Sequence, residues 1–409
     1  MSPLVVVLVV GGLILLVVGG EVLVRGASDI AHRIGMSRLV VGLTVVSFAT
    51  SAPELAVTMD AVFSGSPGLA IGNVVGSNIA NILLVLGVAA AIAPLAVRSR
   101  VVKLDVPVMI ALSILVTIFA LNGVIATWQG VVLLLALVGY VIRAVQVGRR
   151  DTALETKALA PQWAAPQSPA TGEIDPPATE RPQDGAAAAV TSGQETEPEP
   201  DAPAAKGAWP VIRALALIVV GVALLVVGAR LLVNGATQIA TGFGVSDVIV
   251  GLTVVAIGTS LPELATSVVA VLRGESDLAV GNAVGSNIFN LAFVLGTAAL
   301  VAPGGIPVPE SVANFDFVLM TVVAVLLLPV AYTRKSIDRW EGWLFLGYYL
   351  AYTSYLLLAS ADHDALGPFN VVMIAFVVPV TVILLITLAV AERKDRRVRR
   401  AARAKARSG

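Results

Sequence analysis

The chain has 409 residues, of which only 13% are charged and 57% are hydrophobic, and its mean hydropathy is +0.90. Soluble domains carry about 25% charged residues, so this composition excludes an ordinary soluble globule. Half of the 27 basic and 27 acidic residues fall in the stretches 149–213 and 392–407. The absence of cysteine excludes disulfides and thiolate metal sites, and two histidines are too few for a multi-histidine site.

Apolar runs of about 20 residues, the length that crosses a bilayer core, predict eleven membrane-spanning helices. In chain order they cover 4–24, 39–62, 68–94, 105–121, 126–146, 211–233, 246–271, 278–302, 316–333, 340–359 and 369–391. Each run is taken as a helix because lipid offers no hydrogen-bond partner to an open backbone. The predicted fold class is an all-α polytopic membrane protein.

The composition changes abruptly between the fifth and sixth runs. Ten of the 22 prolines lie in 161–210, amid Ala, Gln, Glu and Ser, which is typical of a disordered tether. The predicted organisation is a first membrane repeat (1–148), a disordered cytoplasmic linker (149–209), a second membrane repeat (210–360), an additional eleventh span (361–392) and a basic cytoplasmic tail (393–409). The N-terminal run lacks the basic region of a signal peptide, so it is kept as the first span.

Basic residues predict the orientation of the chain in the membrane. Lys and Arg occur in the odd-numbered loops and are absent from the short loops after spans two, four, eight and ten. The positive-inside rule then places the odd-numbered loops in the cytoplasm and the N-terminus outside. Eleven spans also bring the C-terminal tail, with nine basic residues in 393–407, to the cytoplasmic side. The predicted location is a plasma (inner) membrane.

An internal repeat is the most informative feature of the sequence. Residues 42–87 and 251–296 align without a gap, and 27 of the 46 positions are identical. Because each repeat contains five spans, an odd number, the second copy enters the membrane inverted relative to the first. The chain is therefore predicted to have two inverted-topology five-helix repeats and an eleventh C-terminal helix. Secondary transporters commonly have this architecture, with the substrate site at the repeat interface on interrupted helices.

Each repeat contains a run of small and hydroxyl residues that ends in Pro-Glu, at 50–54 and at 259–263. A proline inside a spanning helix removes one hydrogen bond and frees backbone carbonyls one turn earlier. The adjacent carboxylate costs at least about 2–3 kcal/mol in mid-membrane. A lone glutamate there could be protonated or bonded to a neighbouring helix, but two at matching positions favour a functional role.

The following span of each repeat carries a polar stripe at helical spacing. The stripes are Asn73, Ser77 and Asn81, and Asn282, Ser286 and Asn290. With the Pro-Glu motifs they offer carboxylate, amide, hydroxyl and carbonyl oxygens and no nitrogen or sulfur, a set that suits hard cations such as Ca²⁺. The two glutamates supply a charge of −2, which one Ca²⁺, two Na⁺ or two H⁺ would neutralise. The ligands that this pattern predicts are Glu54, Glu263, Ser77, Asn81, Ser286 and Asn290.

The paired G-T-S-x-P-E and G-N-x-x-G-S-N-I-x-N blocks resemble the two alpha-repeats of the cation/calcium antiporter superfamily, and the membrane body resembles prokaryotic sodium/calcium exchangers. The resemblance implies ion coordination by Glu54 and Glu263. It also implies help from neighbouring hydroxyl and amide groups, namely Thr50, Ser51, Ser77, Asn81, Thr259, Ser260 and Ser286. With Asn290, these residues are the ten predicted ligands. The resemblance further implies that the first and sixth helices slide across the rest. The chain departs from the common pattern in Ala49, in its eleventh span, and in Asn290, where well-studied exchangers have Asp.

The predicted function is exchange of Ca²⁺ for Na⁺ by alternating access, without a cofactor and without enzymatic activity. Proton/calcium antiport is the nearest alternative because two membrane glutamates also suit two protons. A cation channel and an intramembrane hydrolase are remote alternatives. The predicted partners are the transported ions and the lipid bilayer. Nucleic acid is excluded, and the sequence indicates no protein partner.

Overall fold

The computed structural model describes residues 3–34, 36–159, 209–242, 256–310, 312–332, 334–360 and 365–373, with single positions up to 386. Most of these residues are helical, so the predicted fold class is confirmed.

Helices of the first half follow the predicted spans, and three of these spans contain a short π-helical turn. The elements are α1 (Pro3–Ile34), α2 (Arg38–Val41), a π-turn (Gly42–Val46), α3 (Ser47–Thr50), α4 (Ala52–Phe63), α5 (Pro67–Ala80), a π-turn (Asn81–Leu86), α6 (Gly87–Ile92), β1 (Leu95–Ala96), a π-turn (Val101–Asp105), α7 (Val106–Ala120), β2 (Val124–Ile125) and α8 (Thr127–Leu159).

The second half repeats this order. Its elements are α9 (Trp209–Gly242), α10 (Ala256–Thr259), α11 (Leu261–Leu272), α12 (Ser276–Phe289), a π-turn (Asn290–Val294), α13 (Leu295–Val301), β3 (Ile306–Pro307), a π-turn (Val312–Asp316), α14 (Phe317–Tyr332), β4 (Ser336–Ile337), α15 (Arg339–Ser360) and α16 (Leu366–Val372).

Eight helical segments of the described chain are long and apolar enough to cross a membrane, and each coincides with a predicted span. They are Leu4–Ala31, Arg38–Phe63, Pro67–Ile92, Val101–Ala120, Thr127–Gly148, Val211–Ile239, Ser276–Val301 and Val312–Tyr332. The predicted tenth span is the 22-residue helix α15, which is less apolar because it contains four tyrosines. The seventh span is described from Ala256 onward and includes the shorter apolar helix α11.

Other predicted boundaries lie partly outside the described residues. The eleventh span (361–392) is described only through α16 and a few single positions, and the tail (393–409) lies wholly outside. The linker assigned to 149–209 begins inside α8, which continues as a helix to Leu159. Charged residues from Arg149 onward mark where the chain becomes polar and not where the helix ends. Residues 160–208 are outside the described part.

Two spans form the centre of the described bundle. In the spans 276–301 and 67–92, 78% and 72% of the residues in the apolar stretch are buried. The corresponding share is only 28% in the long helices α1 and α9. The most buried spans are those that carry the polar stripes. The sequence motifs are therefore in the interior, and α1 and α9 lie at its margin.

Helices α1 and α9 run antiparallel in backbone contact along glycines spaced seven residues apart. Gly12 and Gly19 of α1 face Gly228 and Gly221 of α9. A Cβ built on Gly12 would lie 2.7 Å from the backbone nitrogen of Leu232, which is closer than real side chains approach. Small residues allow such close helix pairs in membranes.

Two pairs of short β-strands also join the repeats, with one strand of each pair from each repeat. Strand β1 pairs antiparallel with β4, and β2 pairs antiparallel with β3. Since β1 and β4 follow the third and ninth spans, two odd-numbered loops lie at one end of the bundle. The loops after spans four and eight, which hold β2 and β3, likewise lie together. These two-residue strands were not apparent from the apolar pattern.

Candidate cation site

A helix break precedes each of the two glutamates. Helix α3 ends at Thr50 and α4 starts at Ala52, while α10 ends at Thr259 and α11 starts at Leu261. The prolines occupy the first turns of α4 and α11, where a missing N–H costs little. Glu54 and Glu263 therefore stand in the first turn of a helix, as the Pro-Glu motifs predict.

A π-helical turn begins at each of the two distal asparagines of the polar stripes. The turns are Asn81–Leu86 and Asn290–Val294, and both asparagines are fully buried. Single π-turns inside α-helices often occur at functional sites. The matching positions of the two turns indicate that both repeats use the same local distortion.

The hydroxyl of Thr50 joins the motif of the first repeat to the stripe of the second. Its Oγ1 lies 3.2 Å from Oδ1 of Asn282 and 3.3 Å from Oγ of Ser286. One turn earlier, Ser47 donates from its Oγ to the carbonyl oxygens of Gly42 at 2.7 Å and of Asn282 at 3.1 Å. The two repeats are thus in direct polar contact at the site.

The proximal stripe asparagines hold the glutamate-bearing helices by the same contacts in both repeats. Asn73 Nδ2 donates to the backbone oxygen of Glu54 at 3.1 Å and to Oγ1 of Thr58 at 2.9 Å. Asn282 Nδ2 donates to the backbone oxygen of Glu263 at 3.3 Å and to Oγ of Ser267 at 3.1 Å. These asparagines orient the helices that carry the carboxylates.

Buried polar atoms without a hydrogen-bond partner are concentrated at the predicted ligands. Seven of the ten ligands carry such atoms, namely Ser51, Glu54, Ser77, Asn81, Ser260, Glu263 and Asn290. Thr50 and Ser286 are bonded to each other, and Thr259 is half-buried with a partner. Buried polar groups are nearly always satisfied in native proteins. This concentration of buried oxygen atoms without hydrogen-bond partners indicates a binding site for a polar ligand.

The negative charge of the candidate site comes from two carboxylates. Glu54 and Glu263 are both fully buried and interact electrostatically across the repeat interface. Within the described residues, no three or more His, Cys, Asp or Glu side chains are grouped to hold a metal ion. A cation here would therefore be held by two charged and several neutral oxygen ligands, in agreement with the donor set that the sequence predicts.

A cavity of about 470 Å³ reaches this region from one end of the bundle. Its wall includes Ser77 and Thr259 at the site, Asn73 beside it, and Gly68 and Asp316 toward the even-numbered loops. Tyr352 donates from its hydroxyl to Oδ1 of Asp316 at 3.0 Å. Two predicted ligands, Ser77 and Thr259, therefore border a cavity that extends toward the even-numbered loops.

The profile of the family described as "Sodium/calcium exchanger protein" matches residues 4–146 and 213–358 of the chain. The chain belongs to the sodium/calcium exchanger family. It is a membrane transporter of the cation/calcium antiporter superfamily and not an enzyme, so the predicted superfamily is confirmed.

Two relatives of this exchanger-family chain and a solved structure match over nearly their whole length. The putative antiporter CaxA of Alkalimonas amylolytica is 34% identical over 87% of this chain and 98% of its own. The sodium/calcium exchanger MaX1 of Methanosarcina acetivorans is 31% identical over 83% and 95%. A solved structure of the sodium-calcium exchanger NCX_Mj, soaked with 10 mM Na⁺ and zero Ca²⁺, matches with a TM-score of 0.65 and 30% identity over 86% and 98%.

Four further buried polar residues on the motif-bearing helices were not among the predicted ligands. Asn78 and Asn287 each leave a buried Oδ1 without a partner, and Thr58 and Ser267 receive the bonds from the proximal asparagines. Each pair stands at the same place in the two repeats. That repetition was visible in the sequence and could have singled these residues out.

Loss of the Thr50 hydroxyl should weaken transport because it removes two contacts between the repeats. Hydrogen bonds contribute about 0.5–1.5 kcal/mol each, so we expect the loss of two in Thr50→Ala to lower the ion-exchange rate roughly 5- to 150-fold. Thr50→Ser keeps the hydroxyl and should stay within about twofold of the natural chain. Radiotracer Ca²⁺ uptake into proteoliposomes measures both, and equal rates for the Ala and Ser variants would contradict this role.

Proposed function

We propose that the chain exchanges Ca²⁺ for Na⁺ by alternating access at a mid-membrane site between its two repeats. The two carboxylates, Glu54 and Glu263, would bind Ca²⁺ directly. The neutral oxygens of the predicted set complete the coordination and would take over when Na⁺ replaces Ca²⁺. These are Thr50, Ser51, Ser77, Asn81, Thr259, Ser260, Ser286 and Asn290.

The observation that carries this proposal is the cluster of unpartnered buried oxygens at matching positions of the two repeats. Ca²⁺ takes 6–8 oxygen ligands in a flexible arrangement, and such a set is available here without a nitrogen or sulfur donor. The names of the relatives MaX1 and NCX_Mj, both sodium/calcium exchangers, support the same pair of ions. The charge of −2 allows either one Ca²⁺ or two Na⁺ to leave the site neutral.

Contacts of α1 support a moving part in the mechanism. Near its C-terminal half, Glu21 accepts a 2.7 Å hydrogen bond from Nε of Arg273, and Ser28 donates to Glu275 at 2.7 Å. Both partners lie in the loop that joins α11 to α12. These polar contacts would hold one end of α1 closed against that loop, and their release would let α1 and α9 move together and open the other side.

The decisive experiment separates the two candidate coupling ions. Purified protein in sealed vesicles is loaded with Ca²⁺, and stopped-flow efflux is followed after a Na⁺ gradient or a H⁺ gradient is imposed alone. We expect the Na⁺ gradient to drive Ca²⁺ efflux and the H⁺ gradient to leave it at the leak rate. Efflux driven only by H⁺ would replace this proposal with proton/calcium antiport.

The orientation that we propose places the odd-numbered loops and the linker in the cytoplasm. The chain has no cysteine, so single cysteines can be introduced without background at two exposed loop positions. In intact cells, a membrane-impermeant thiol reagent should label Ser66→Cys, in the loop after the second span, and not Arg334→Cys, in the loop after the ninth. Labelling of Arg334→Cys in preference to Ser66→Cys would reverse the orientation.

A further inference from the structure

A second cavity, distant from the paired motifs, opens at the end of the bundle where the odd-numbered loops meet. It has a volume of about 790 Å³. Five basic residues line it: Arg98, Arg100, Lys103, Arg143 and Lys335. The remainder of its wall consists of two serines, Ser37 and Ser99, and four aliphatic residues, Leu39, Val97, Leu104 and Val147. None of the described residues that line it is acidic.

Only two of the five basic residues are neutralised by carboxylates. Arg98 forms a 2.6 Å ion pair with Asp277, and Arg100 lies 3.7 Å from Oδ2 of Asp105. Lys103, Arg143 and Lys335 have no ion pair among the described residues and are exposed. The cavity therefore retains about three uncompensated positive charges.

Arg100 is positioned as a fixed donor in this wall. Its side chain is only 7% exposed, and it donates from Nη2 to the backbone oxygen of Ala144 at 2.8 Å. Its Nε is buried and faces Oδ2 of Asp105 at 3.7 Å. These contacts fix the guanidinium in the wall, and its rigid planar fork matches phosphate oxygens.

A turn with a strained backbone carries Lys335, whose side chain adds a further positive charge to the cavity wall. Arg334 and Lys335 have φ angles of 54° and 57°, in the left-handed region that non-glycine residues seldom adopt. The Lys335 carbonyl accepts a 2.8 Å hydrogen bond from the backbone of Val97, which fixes this turn against the opposite wall. Strained backbone that the surroundings hold in place is typical of functional positions.

We propose that this basic cavity binds the phosphate group of an anionic glycerophospholipid from the adjoining leaflet. The cavity lies at the ends of the spans, where lipid phosphates lie, and basic pockets between membrane helices at this level bind anionic head groups. Its aliphatic residues provide a surface for the glycerol backbone and the first acyl carbons. A soluble anion would gain nothing from them.

Native mass spectrometry of the full chain tests the proposal by counting lipids that remain bound. The probes are phosphatidylglycerol and phosphatidylcholine with identical acyl chains, added at equal amounts in detergent. The test variant replaces Lys103, Arg143 and Lys335 by Gln. The matched control replaces three basic residues outside the cavity by Gln, namely Arg33, Arg334 and Arg339, all of them exposed.

The natural chain and the control should retain one phosphatidylglycerol and should not retain phosphatidylcholine. Each basic residue near an anionic lipid is worth roughly a fivefold change in affinity, so the test variant should bind phosphatidylglycerol on the order of 100-fold more weakly. An unchanged melting temperature in phosphatidylcholine shows that the test variant is folded.

Three results would overturn the assignment. The first is equal phosphatidylglycerol binding by the test variant and the control. The second is equal retention of phosphatidylcholine by the natural chain, since the site would then not recognise charge. The third is displacement of the lipid by inorganic phosphate at millimolar concentration, which would identify a site for a free anion.

Discussion

Replacement of Glu54 or Glu263 by Gln should nearly abolish exchange while the protein still folds. Each substitution preserves the shape of the side chain and removes half of the fixed charge at the proposed site. Loss of one partner from a buried charged contact costs about 3–5 kcal/mol, which corresponds to roughly 10²- to 10⁴-fold weaker Ca²⁺ binding. Na⁺-driven Ca²⁺ flux in proteoliposomes should fall by a comparable factor in either variant.

Asp60→Asn is the matched control because Asp60 is exposed on the same helix, α4, six residues after Glu54. Its flux should equal that of the natural chain. Near-normal Ca²⁺ flux in Glu54→Gln would contradict the assigned site.

Thermal unfolding provides an independent readout of the same substitutions. Without bound ion, the carboxylate oxygens of both glutamates are buried without a partner, so a neutral amide should leave the ion-free melting temperature unchanged or raise it. A ligand that binds only the folded state at 100 times its Kd stabilises it by about 2.7 kcal/mol. The natural chain should therefore gain stability on addition of Ca²⁺, and the Gln variants should not.

The sequence predicted the architecture well because the repeat is recorded in identical residues. The ungapped match of 42–87 with 251–296 and the apolar runs lead to the order of the helices and to the family. They also lead to the paired interruptions at Ser51 and Ser260, because a proline inside a membrane helix has a local and predictable effect. Such features depend on short stretches of chain and need no knowledge of packing.

Contacts between distant parts of the chain could not be predicted in the same way. The bonds from Thr50 to Asn282 and Ser286 join residues more than 230 positions apart, and their geometry depends on how the two repeats pack. The π-turns at Asn81 and Asn290 arise from one extra residue in a helical turn, for which the apolar pattern carries no signal. The helical stretch from Arg149 to Leu159 was not predicted. The predicted linker begins where the chain becomes charged, but charged residues outside the membrane can continue a helix.

The close contact between α1 and α9 repeats along both helices. Gly12, Gly19 and Gly26 recur every seven residues, and Gly221, Gly228 and Gly235 do so on the partner helix. Glycines at two-turn spacing let the backbones of the two helices pack in direct contact. A pair joined this closely can move as one unit, which is what the proposed sliding of the first and sixth helices across the rest needs.

Gly12→Ala should therefore slow exchange much more than it weakens ion binding. The new Cβ would meet the backbone nitrogen of Leu232 at 2.7 Å and the oxygen of Gly228 at 2.8 Å, so α1 and α9 must move apart. Overpacking of this kind costs about 1–3 kcal/mol, and a barrier raised by that amount lowers the rate roughly 5- to 150-fold. Ca²⁺ affinity, measured by the Ca²⁺ dependence of the melting temperature, should stay within about twofold because the ligands are untouched.

Gly11→Ala separates this effect from the general consequence of a methyl group on α1. No atom lies within 4 Å of a Cβ built on Gly11, and alanine has a higher helix propensity than glycine. This neighbouring variant should exchange ions at the natural rate and melt at the same or a slightly higher temperature. Equal slowing by the two substitutions would show that the α1 and α9 contact does not limit transport, whereas slowing confined to Gly12→Ala would show that the rate-limiting motion needs α1 and α9 to be closely packed.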